Sequence, residues 1–463
     1  MFSKKTYIER RKVLKERVEK GLILFFGNDE SPMNYADNTY HFRQDSTFLY
    51  YFGINQPGLA ALIDVDNDRE IIFGNEYTVE DFVWMGPQAT IAEKADACGI
   101  KEVVPAKELE KQVKAAKQKG QTIHFLPLYR AENKIKLQEL TGIAPNEVAT
   151  CFSVDLVKAV VSQREIKTEE EIASISQAVD VSVDMHVAAM RIAKPGMTEA
   201  QVTAEIHKIA LAEGGNISFP IIATKNGQTL HNHYHGNTIN RGDMFLIDAG
   251  FENEMMYAGD LSSTIPVSKK FSAEQKEIYQ LALESHQAAI DTLGLGIPFK
   301  NAHEAACTTI FDGLKTMGFT KGNPQDAFEA GAHALFFPCG TGHMMGLDVH
   351  DMEDLGEVWV GYDGQPKSTQ FGLKSLRLAK PLQAGHVFTI EPGIYFIPEL
   401  IDQWRAQNKF NDFINWEKVD SYRNFGGIRN EEDFVMTKNG PQLLGKPKPK
   451  TIEDIESIRA ETE

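Results

Sequence analysis

Four acidic residues and one histidine in the C-terminal half lie in or beside short apolar runs that are typical of β-strands: Asp248, Asp260, His343, Glu391 and Glu431. A buried carboxylate is costly unless a cation or another partner neutralises it. Oxygen ligands favour hard divalent ions, and one imidazole shifts the preference towards manganese, iron, cobalt or zinc. Four carboxylates over-neutralise one divalent ion but balance two. The set therefore predicts a dinuclear metal site.

The chemistry that follows from such a site is metal-assisted hydrolysis. Two divalent ions about 3.5–4 Å apart can hold a hydroxide between them as nucleophile and polarise a carbonyl group. A mononuclear iron site with two histidines and one carboxylate is an alternative. The surplus of carboxylates disfavours it, as does the absence of a close His-x-Asp or His-x-Glu pair. A purely structural role for all five residues is disfavoured because they occur together.

The elements that must position these residues differ between the two halves of the chain. Residues 1–163 alternate strand-length apolar runs with turn signals and polar helical stretches, which predicts a small α/β domain. Residues 164–463 contain long helices interrupted by strands, which predicts a larger α+β domain. Three of these helices open with capping boxes, formed by Thr168 with Glu171, Thr198 with Gln201, and Ser272 with Gln275.

Composition excludes several classes of partner and location. The chain of 463 residues has 48 Lys and Arg against 65 Asp and Glu, a net charge of −17. This balance argues against nucleic-acid and membrane-surface partners, because phosphates attract clustered Lys and Arg. The four cysteines form no CxxC pair and fit neither a zinc ribbon nor a disulfide framework. No secretory segment and no apolar run of about 20 residues is present, so we expect a cytoplasmic protein.

The acidic motifs also carry a family resemblance. LIDAG, YAGD, GHMMGLDVHD, TIEPGIY and GGIRNEED follow in the order found in the pita-bread metallopeptidases. Within that family they resemble the Xaa-Pro branch, which contains aminopeptidase P and prolidase. The segment YADNTYHFRQDSTFLYYFGINQPG is similar to that branch's amino-terminal domain. The resemblance implies an aminopeptidase P-like domain at 1–163 and a pita-bread catalytic domain at 164–463.

The resemblance implies a role for each site residue. Asp248, Asp260, His343, Glu391 and Glu431 would bind two divalent ions, usually Mn²⁺. Glu391 would also shuttle a proton, and His350 would contact the substrate or the tetrahedral intermediate. Arg429 would lie behind the metals as a supporting partner. His231 would be a further active-site histidine, with His233 as the open alternative.

The implied activity is hydrolysis of the N-terminal Xaa-Pro bond of dipeptides or short peptides. The long segment between Glu391 and Glu431 resembles prolidase and favours dipeptides, whereas the N-terminal signature leaves longer peptides open. Cys339 stands where many members have histidine, which puts one substrate contact in question. A catalytically inactive pita-bread protein that binds peptides or proteins is the alternative, and the complete ligand set disfavours it. Members commonly form homodimers or homotetramers through the N-terminal domain.

Three further features have simpler interpretations. Trp84 and Met85 are expected in the core or in a subunit contact. Glu432 and Asp433 are expected to form a solvated pair or a pair that supports the metal ligands. The Lys-Pro stretch at 446–450 is expected to be a surface connector that leads into a polar terminal helix.

Overall fold

The computed structural model describes residues 1–461, which form two compact units. The first unit comprises residues 1–164 and 353–359, and the second comprises residues 165–352 and those from 360 onward. Both units combine helices with strands, as the sequence predicts. Within the described residues, none of the helices combines the length and hydrophobicity that crossing a bilayer requires.

The first unit is built on a mixed five-stranded sheet. Its strands are β1 (Leu22–Phe26), β2 (Ala60–Asp64), β3 (Arg69–Phe73), β4 (Glu102–Val104) and β5 (Ile123–His124), in the order β4-β3-β2-β1-β5. Its helices are α1 (Lys4–Val18), α2 (Ser46–Phe52), α3 (Val79–Met85), α4 (Ile91–Ala97), α5 (Leu109–Gln118), α6 (Ala131–Thr141), α7 (Val148–Cys151) and α8 (Val154–Arg164). The continuous apolar run of β1 is buried along its whole length, because residues of α5 and α6 pack with Leu22, Leu24 and Phe26 and aromatic rings of α2 pack on Phe25.

Helix α3 differs from the other helices of this unit because it buries none of its residues. Trp84 is 80% exposed, and Val79, Val83 and Met85 are also exposed. Of the two expectations for Trp84 and Met85, the core position is therefore wrong, and the subunit contact stays a prediction. A capping box formed by Thr78 and Asp81 explains why this short segment is helical without core contacts.

The second unit contains the long helices. They are α9 (Glu169–Ile192), α10 (Glu199–Ala212), α11 (Ala273–Asp291), α12 (Lys300–Thr316), α13 (Pro324–Ala330), α15 (Pro398–Ala406), α16 (Trp416–Ser421) and α17 (Ile452–Ala460). The short helix α14 (Glu357–Val360) has its first three residues assigned to the first unit and its last to the second. All three predicted capping boxes are present, at the starts of α9, α10 and α11. The helix starts are therefore set by local side-chain bonds to otherwise unpaired backbone N–H groups.

The strands of the second unit form small antiparallel sheets. They are β6 (Asn216–Ile217), β7 (Ile222–Thr224), β8 (Met244–Ala249), β9 (Phe251–Glu252), β10 (Leu261–Pro266), β11 (Val387–Ile390), β12 (Gly393–Tyr395), β13 (Gly427–Arg429), β14 (Glu432–Thr437) and β15 (Gly440–Leu443). The sheet orders are β10-β8-β7, β11-β14-β15, β12-β13 and β6-β9. Within this arrangement Asp248 on β8 lies opposite Ser262 on β10.

The predicted metal ligands lie at strand ends more often than within strands. Asp248 is inside β8, whereas Asp260 directly precedes β10, Glu391 directly follows β11 and Glu431 directly precedes β14. Strand ends free the backbone from the ladder, so these side chains can turn towards a common point. His343 lies in a loop, and its backbone N–H donates to the Thr389 hydroxyl at 3.2 Å.

That loop requires glycine at position 342. A Cβ there would lie 2.0 Å from the Thr389 carbonyl oxygen of β11, far inside van der Waals contact. The loop is held against the strand by hydrogen bonds from the Thr389 N–H to the His343 carbonyl at 3.0 Å and from the Glu391 N–H to the Thr341 carbonyl at 2.7 Å. Close backbone approach therefore fixes His343 beside Glu391.

The expectation that the Lys-Pro stretch at 446–450 is a surface connector is only partly right, because Lys446 and Pro447 are exposed whereas Lys448 is buried. Lys448 is 5% exposed. Its ammonium donates to the Ser262 carbonyl at 2.7 Å and to the Ser263 hydroxyl at 3.0 Å. Burial lowers the pKa of Lys448 to about 8. The segment therefore packs against β10, and the predicted terminal helix follows it as α17.

Candidate metal centre

The predicted site residues of the second unit line one cavity of about 470 Å³. These residues are His231, Asp248, Asp260, His343, His350, Glu391, Arg429 and Glu431. His233 and Cys339 line the same cavity. Strands separated by more than a hundred residues in the chain thus converge on one solvent-accessible pocket.

His343 presents one ring nitrogen to the acidic residues. Its Nε2 lies 3.3 Å from Asp260 Oδ2 and 3.6 Å from Glu391 Oε1. Its Nδ1 donates to the Met344 carbonyl at 3.0 Å, which fixes the ring orientation and leaves Nε2 facing the cavity. Potential ligand atoms of Asp260, His343 and Glu431 all lie within 4.8 Å of one another. This spacing fits a metal ion placed between them.

The carboxylates are crowded and buried, which is unfavourable without a cation. Burial raises the pKa of Asp260 well above its usual range, and the charges of Asp248 and Asp433 add to the effect. Burial also raises the pKa of Glu431 well above its usual range, with a further contribution from Asp260, and it raises the pKa of Glu391. Among the described residues, Asp248 Oδ1 has no hydrogen-bond partner. Divalent cations resolve this excess of negative charge, so the cavity is suited to bind them.

Arg429 holds two of the carboxylates in place. Its Nη2 donates to Asp248 Oδ2 at 2.5 Å, and its Nε donates to the Ser262 hydroxyl at 2.9 Å. The Ser262 hydroxyl in turn donates to Glu431 Oε2 at 2.9 Å. Arg429 Nη1 donates to the Tyr395 hydroxyl at 2.9 Å. The guanidinium thus orients Asp248 directly and Glu431 through the Ser262 hydroxyl.

The acidic pair that follows Glu431 is buried rather than solvated. Asp433 accepts a hydrogen bond from the Asp260 backbone N–H at 3.0 Å, which orients the predicted ligand Asp260. Glu432 accepts a hydrogen bond from Lys450 and lies 3.7 Å from His286 Nε2. The expectation that the two residues are solvated is therefore wrong. The other expectation, that they support the metal ligands, describes Asp433.

His350 and His231 both face the centre. The His350 ring packs edge-on against His343, with ring centroids 4.2 Å apart. The next residue, Asp351, forms an ion pair with Lys167 at 2.8 Å, and both side chains are buried. That pair anchors the loop that carries His350. Partial removal from water lowers the pKa of His231, and the nearby positive charge of Arg429 lowers it further.

Sequence reasoning missed three polar residues of this cavity and its support. Ser262 belongs to the LSST segment, and only the β8–β10 register shows that it faces Asp248. Tyr395 ends the TIEPGIY motif, and its sequence context predicts only a strand residue. Arg377 lines the cavity from a loop that contains no motif, so no sequence signal points to it.

Comparison with known proteins gives consistent matches along the whole chain. The profile of metallopeptidase family M24 matches residues 173–438, and that of the aminopeptidase P N-terminal domain matches residues 7–124. The human Xaa-Pro dipeptidase is 30% identical over 95% of this chain and 88% of its own length. A probable Xaa-Pro aminopeptidase of Emericella nidulans is 28% identical over 92% of this chain and 90% of its own.

The solved structures agree with the sequence matches. A zinc-substituted Escherichia coli aminopeptidase P in complex with product superimposes with a TM-score of 0.81 at 27% identity, covering 99% of this chain and 98% of its own. The Pseudomonas aeruginosa aminopeptidase PepP gives a TM-score of 0.81 at 25% identity with the same coverage. The predicted fold, a pita-bread domain preceded by a smaller α/β domain, is confirmed. The protein is a metallopeptidase suited to divalent metal ions, and the chain belongs to metallopeptidase family M24.

Proposed function

We propose that the protein hydrolyses the N-terminal Xaa-Pro bond of dipeptides or short peptides. The observation that carries the proposal is the single cavity that unites all five predicted metal ligands with His231, His350 and Arg429. Relatives that match nearly the whole chain are named Xaa-Pro dipeptidase and Xaa-Pro aminopeptidase. Selectivity for proline comes from these relatives, whereas hydrolysis follows from the chemistry of the cavity.

In this proposal two Mn²⁺ ions are held by Asp248, Asp260, His343, Glu391 and Glu431. The crowded carboxylates and the unpartnered Oδ1 of Asp248 support the fit. When bound, the ions supply a nucleophilic water and polarise the scissile carbonyl. Carboxylates with one imidazole suit Mn²⁺ well, because the set is dominated by hard oxygen donors.

The side chains around the ions move protons and stabilise charge. Glu391 has a raised pKa because it is buried, which suits a carboxyl that accepts a proton from water and donates it to the leaving proline nitrogen. His350 and His231 donate hydrogen bonds to the substrate oxygen as it gains negative charge. Arg429 keeps Asp248 oriented throughout and touches the acidic ligand rather than the substrate.

We further propose a preference for dipeptides. Arg377 lines the cavity together with the predicted catalytic histidines. In a dipeptide the proline carries the free C-terminal carboxylate, and a guanidinium binds a carboxylate through paired charge-assisted hydrogen bonds. In a longer peptide that carboxylate is replaced by a neutral amide, which gains less from Arg377. The long segment before Glu431 supports the same preference.

The test compares hydrolysis of an Xaa-Pro dipeptide and an Xaa-Pro-Xaa tripeptide, with Xaa-Ala as the control substrate. Metal-stripped protein is resupplied with Mn²⁺, Zn²⁺ or Co²⁺. We expect manganese-dependent cleavage of the dipeptide in preference to the tripeptide. Cleavage mainly of the tripeptide would contradict the dipeptide preference. Cleavage of neither peptide by metal-loaded protein would favour the alternative of an inactive peptide-binding protein.

Arg377 is tested with a matched variant. We expect Arg377→Ala to lower kcat/KM for the dipeptide by about 10- to 100-fold, the value of one charged hydrogen-bonding group, and to affect the tripeptide less. Lys374→Ala removes an exposed cation that lies 5.6 Å from the centre of the Phe371 ring and serves as the control. Equal losses for both peptides would show that Arg377 does not distinguish them.

We propose that two copies of the chain associate through the exposed face of α3, as a homodimer or within a homotetramer. Contiguous exposed apolar residues commonly mark protein contacts, and Val79, Val83, Trp84 and Met85 form such a set. Light scattering on Val83→Ser/Trp84→Ser protein should show a smaller assembly than the wild type. An unchanged mass would contradict the use of this face.

We propose a cytoplasmic protein with an N-terminal domain at residues 1–163 and a catalytic domain at residues 164–463. The four free cysteines and the acidic composition support this location and argue against nucleic-acid and membrane partners. Cell fractionation tests the location. Limited proteolysis that yields a stable fragment starting near residue 164 would support the boundary.

A further inference from the structure

A second cluster of potential metal ligands lies in the same unit, formed by different residues. His303 and Cys307 are one helical turn apart on α12, so their side chains lie on the same face. His333 lies in the short 3₁₀ turn Ala332–Leu335 that follows α13. His303 and Cys307 are 0% exposed and His333 is 2% exposed. Together they form a buried cluster of two imidazoles and one thiol.

The ligand atoms of this cluster are close enough to share an ion. One atom from each residue lies within 4.8 Å of the others, and Cys307 Sγ lies 3.5 Å from His303 Nε2. Tetrahedral zinc, with bonds of about 2.0–2.3 Å, places its ligand atoms roughly 3.3–3.8 Å apart. The His303–Cys307 pair already has this spacing. The His333 ligand atom lies within 4.8 Å of the other two, so a shift of about 1 Å brings it to this spacing.

His303 is oriented as metal-binding histidines are. Its Nδ1 shares a hydrogen bond of 2.9 Å with the Thr341 hydroxyl, which leaves Nε2 facing Cys307. Burial lowers the pKa of His303 to about 3 and that of His333 to about 4, so both rings are neutral. The Cys307 thiol shares a hydrogen bond with His303 Nε2, and a metal ion would replace that proton between the two atoms. Burial raises the pKa of Cys307, and a bound cation would displace the thiol proton.

His333 supplies the observation that points to a ligand. Although the backbone of Ala327 and Phe328 lies nearby, neither of its ring nitrogens has a hydrogen-bond partner of acceptable geometry in the part of the chain that the structure describes. The ring is surrounded by aromatic groups, with the Phe328 centroid at 4.8 Å and the His303 centroid at 6.2 Å. An imidazole buried in this way lacks a partner for its lone pair, and a metal ion supplies one.

We propose that His303, Cys307 and His333 bind one Zn²⁺ ion, separate from the two ions of the carboxylate cavity. Thiolate and imidazole are soft or borderline ligands that select zinc over manganese or magnesium. The ion would tie α12 to the turn after α13. Through the His303–Thr341 bond it would also steady the loop that continues into His343. The site goes beyond the proposed peptidase activity and does not depend on it.

The test uses Co²⁺ as the probe, because a thiolate bound to Co²⁺ gives a near-ultraviolet charge-transfer band that carboxylate and imidazole ligands do not give. We expect metal-stripped wild-type protein to take up a third cobalt equivalent and to show the band, and added Zn²⁺ to bleach it. Cys307→Ser should lose both the band and the third equivalent. If that variant does not fold, His333→Gln should lower the affinity for this equivalent at least 10-fold.

Two control variants separate this site from the catalytic cavity. Cys339→Ser removes the thiol that lines the cavity and should leave the band in place. Asp260→Asn/Glu431→Gln disables the carboxylate centre and should also retain the band. The proposal is overturned if wild-type protein shows no band. It is equally overturned if the band disappears with Cys339→Ser and survives in Cys307→Ser.

Discussion

The carboxylate cavity and the His303–Cys307–His333 cluster lie in the same unit but differ in almost every chemical respect. The cavity opens to solvent and is rich in oxygen ligands. Two of its predicted ligands, Asp248 and Glu431, also accept a hydrogen bond from a neighbouring side chain. The cluster is closed and aromatic, and it offers nitrogen and sulfur. Asp248 is anchored by Arg429, whereas His333 has no comparable support among the described residues.

The contrast indicates that one domain can hold a metal site for catalysis and a second metal site for stability. A catalytic ion needs an open position for water or substrate, so its ligands must be held by the protein around them. A structural ion is enclosed, and it organises its own ligands when it binds. Access and ligand hardness therefore predict that the cavity performs the chemistry and that the closed cluster stabilises the fold.

The largest effect is expected at the open cavity. Glu431→Gln removes a negative charge from the centre, and we expect kcat/KM for an Xaa-Pro dipeptide to fall about 10³-fold, since metal-ion stabilisation of transition-state charge contributes several kcal/mol. The thiolate–cobalt band should be unchanged in the same variant. A variant that loses both properties would show that the two clusters form one cooperative centre.

A smaller loss is expected when only the support of the cavity is altered. Ser262→Ala removes the hydroxyl between Arg429 and Glu431, and we expect a 10- to 100-fold loss in metal affinity or activity, as is typical of outer partners of metal ligands. Ser285→Ala is the control, because this buried hydroxyl donates to the Ala282 carbonyl within α11. Equal effects of both variants would indicate a general loss of stability.

In the closed cluster, removal of a proposed ligand should be favourable for the metal-free protein and raise its stability. In the presence of chelator, His333→Leu removes a buried imidazole whose nitrogens are unsatisfied, and we expect the free energy of unfolding to rise by about 1–2 kcal/mol. The same variant should lose the zinc-dependent increase in Tm of the wild type. A destabilised chelated variant would show that His333 contributes favourable packing that leucine cannot replace.

The smallest expected effect is on the pH dependence of the free energy of unfolding, which should differ between the two clusters. His303 has a folded pKa of about 3, below its usual 6.5, so its unfolded form binds a proton first and stability falls as pH drops below 6.5. Glu431 has a raised pKa, so the metal-free native state binds the proton first and stability rises as pH drops towards 4.5. Urea unfolding of metal-free His303→Gln and Glu431→Gln protein should give opposite changes in slope, each up to about 1.4 kcal/mol per pH unit.

The sequence predicts most of this architecture where the signal is local. Capping boxes set the starts of α9, α10 and α11 through bonds between residues three positions apart. Apolar runs bounded by turn residues predict the strands of the first unit. The ordered acidic motifs predict the five proposed ligands, and all five line one cavity.

What the sequence does not predict depends on partners far along the chain. The composition of the stretch around Lys448 predicts a solvent-exposed segment. The Lys448 ammonium is nevertheless buried, because a carbonyl and a hydroxyl group of β10 accept hydrogen bonds from it. The spacing of the cysteines indicates no metal site, because the histidine partners of Cys307 come from the same helix and from a later turn. Ser262 becomes informative only when the strand register is known.

The hydrogen bonds around Arg429 and Asp433 have a consequence for folding time. The bonds Arg429–Asp248, Arg429–Ser262, Ser262–Glu431 and Asp260–Asp433 join residues 167 to 181 positions apart. The carboxylate centre therefore forms only after the second unit has condensed around both ends of these long loops. Local helices form much earlier, because their contacts are short in sequence. Recovery of peptidase activity should therefore lag behind recovery of helical structure during refolding. An incompletely folded chain thus cannot degrade peptides, and enzymatic turnover itself reports that folding of this unit is complete.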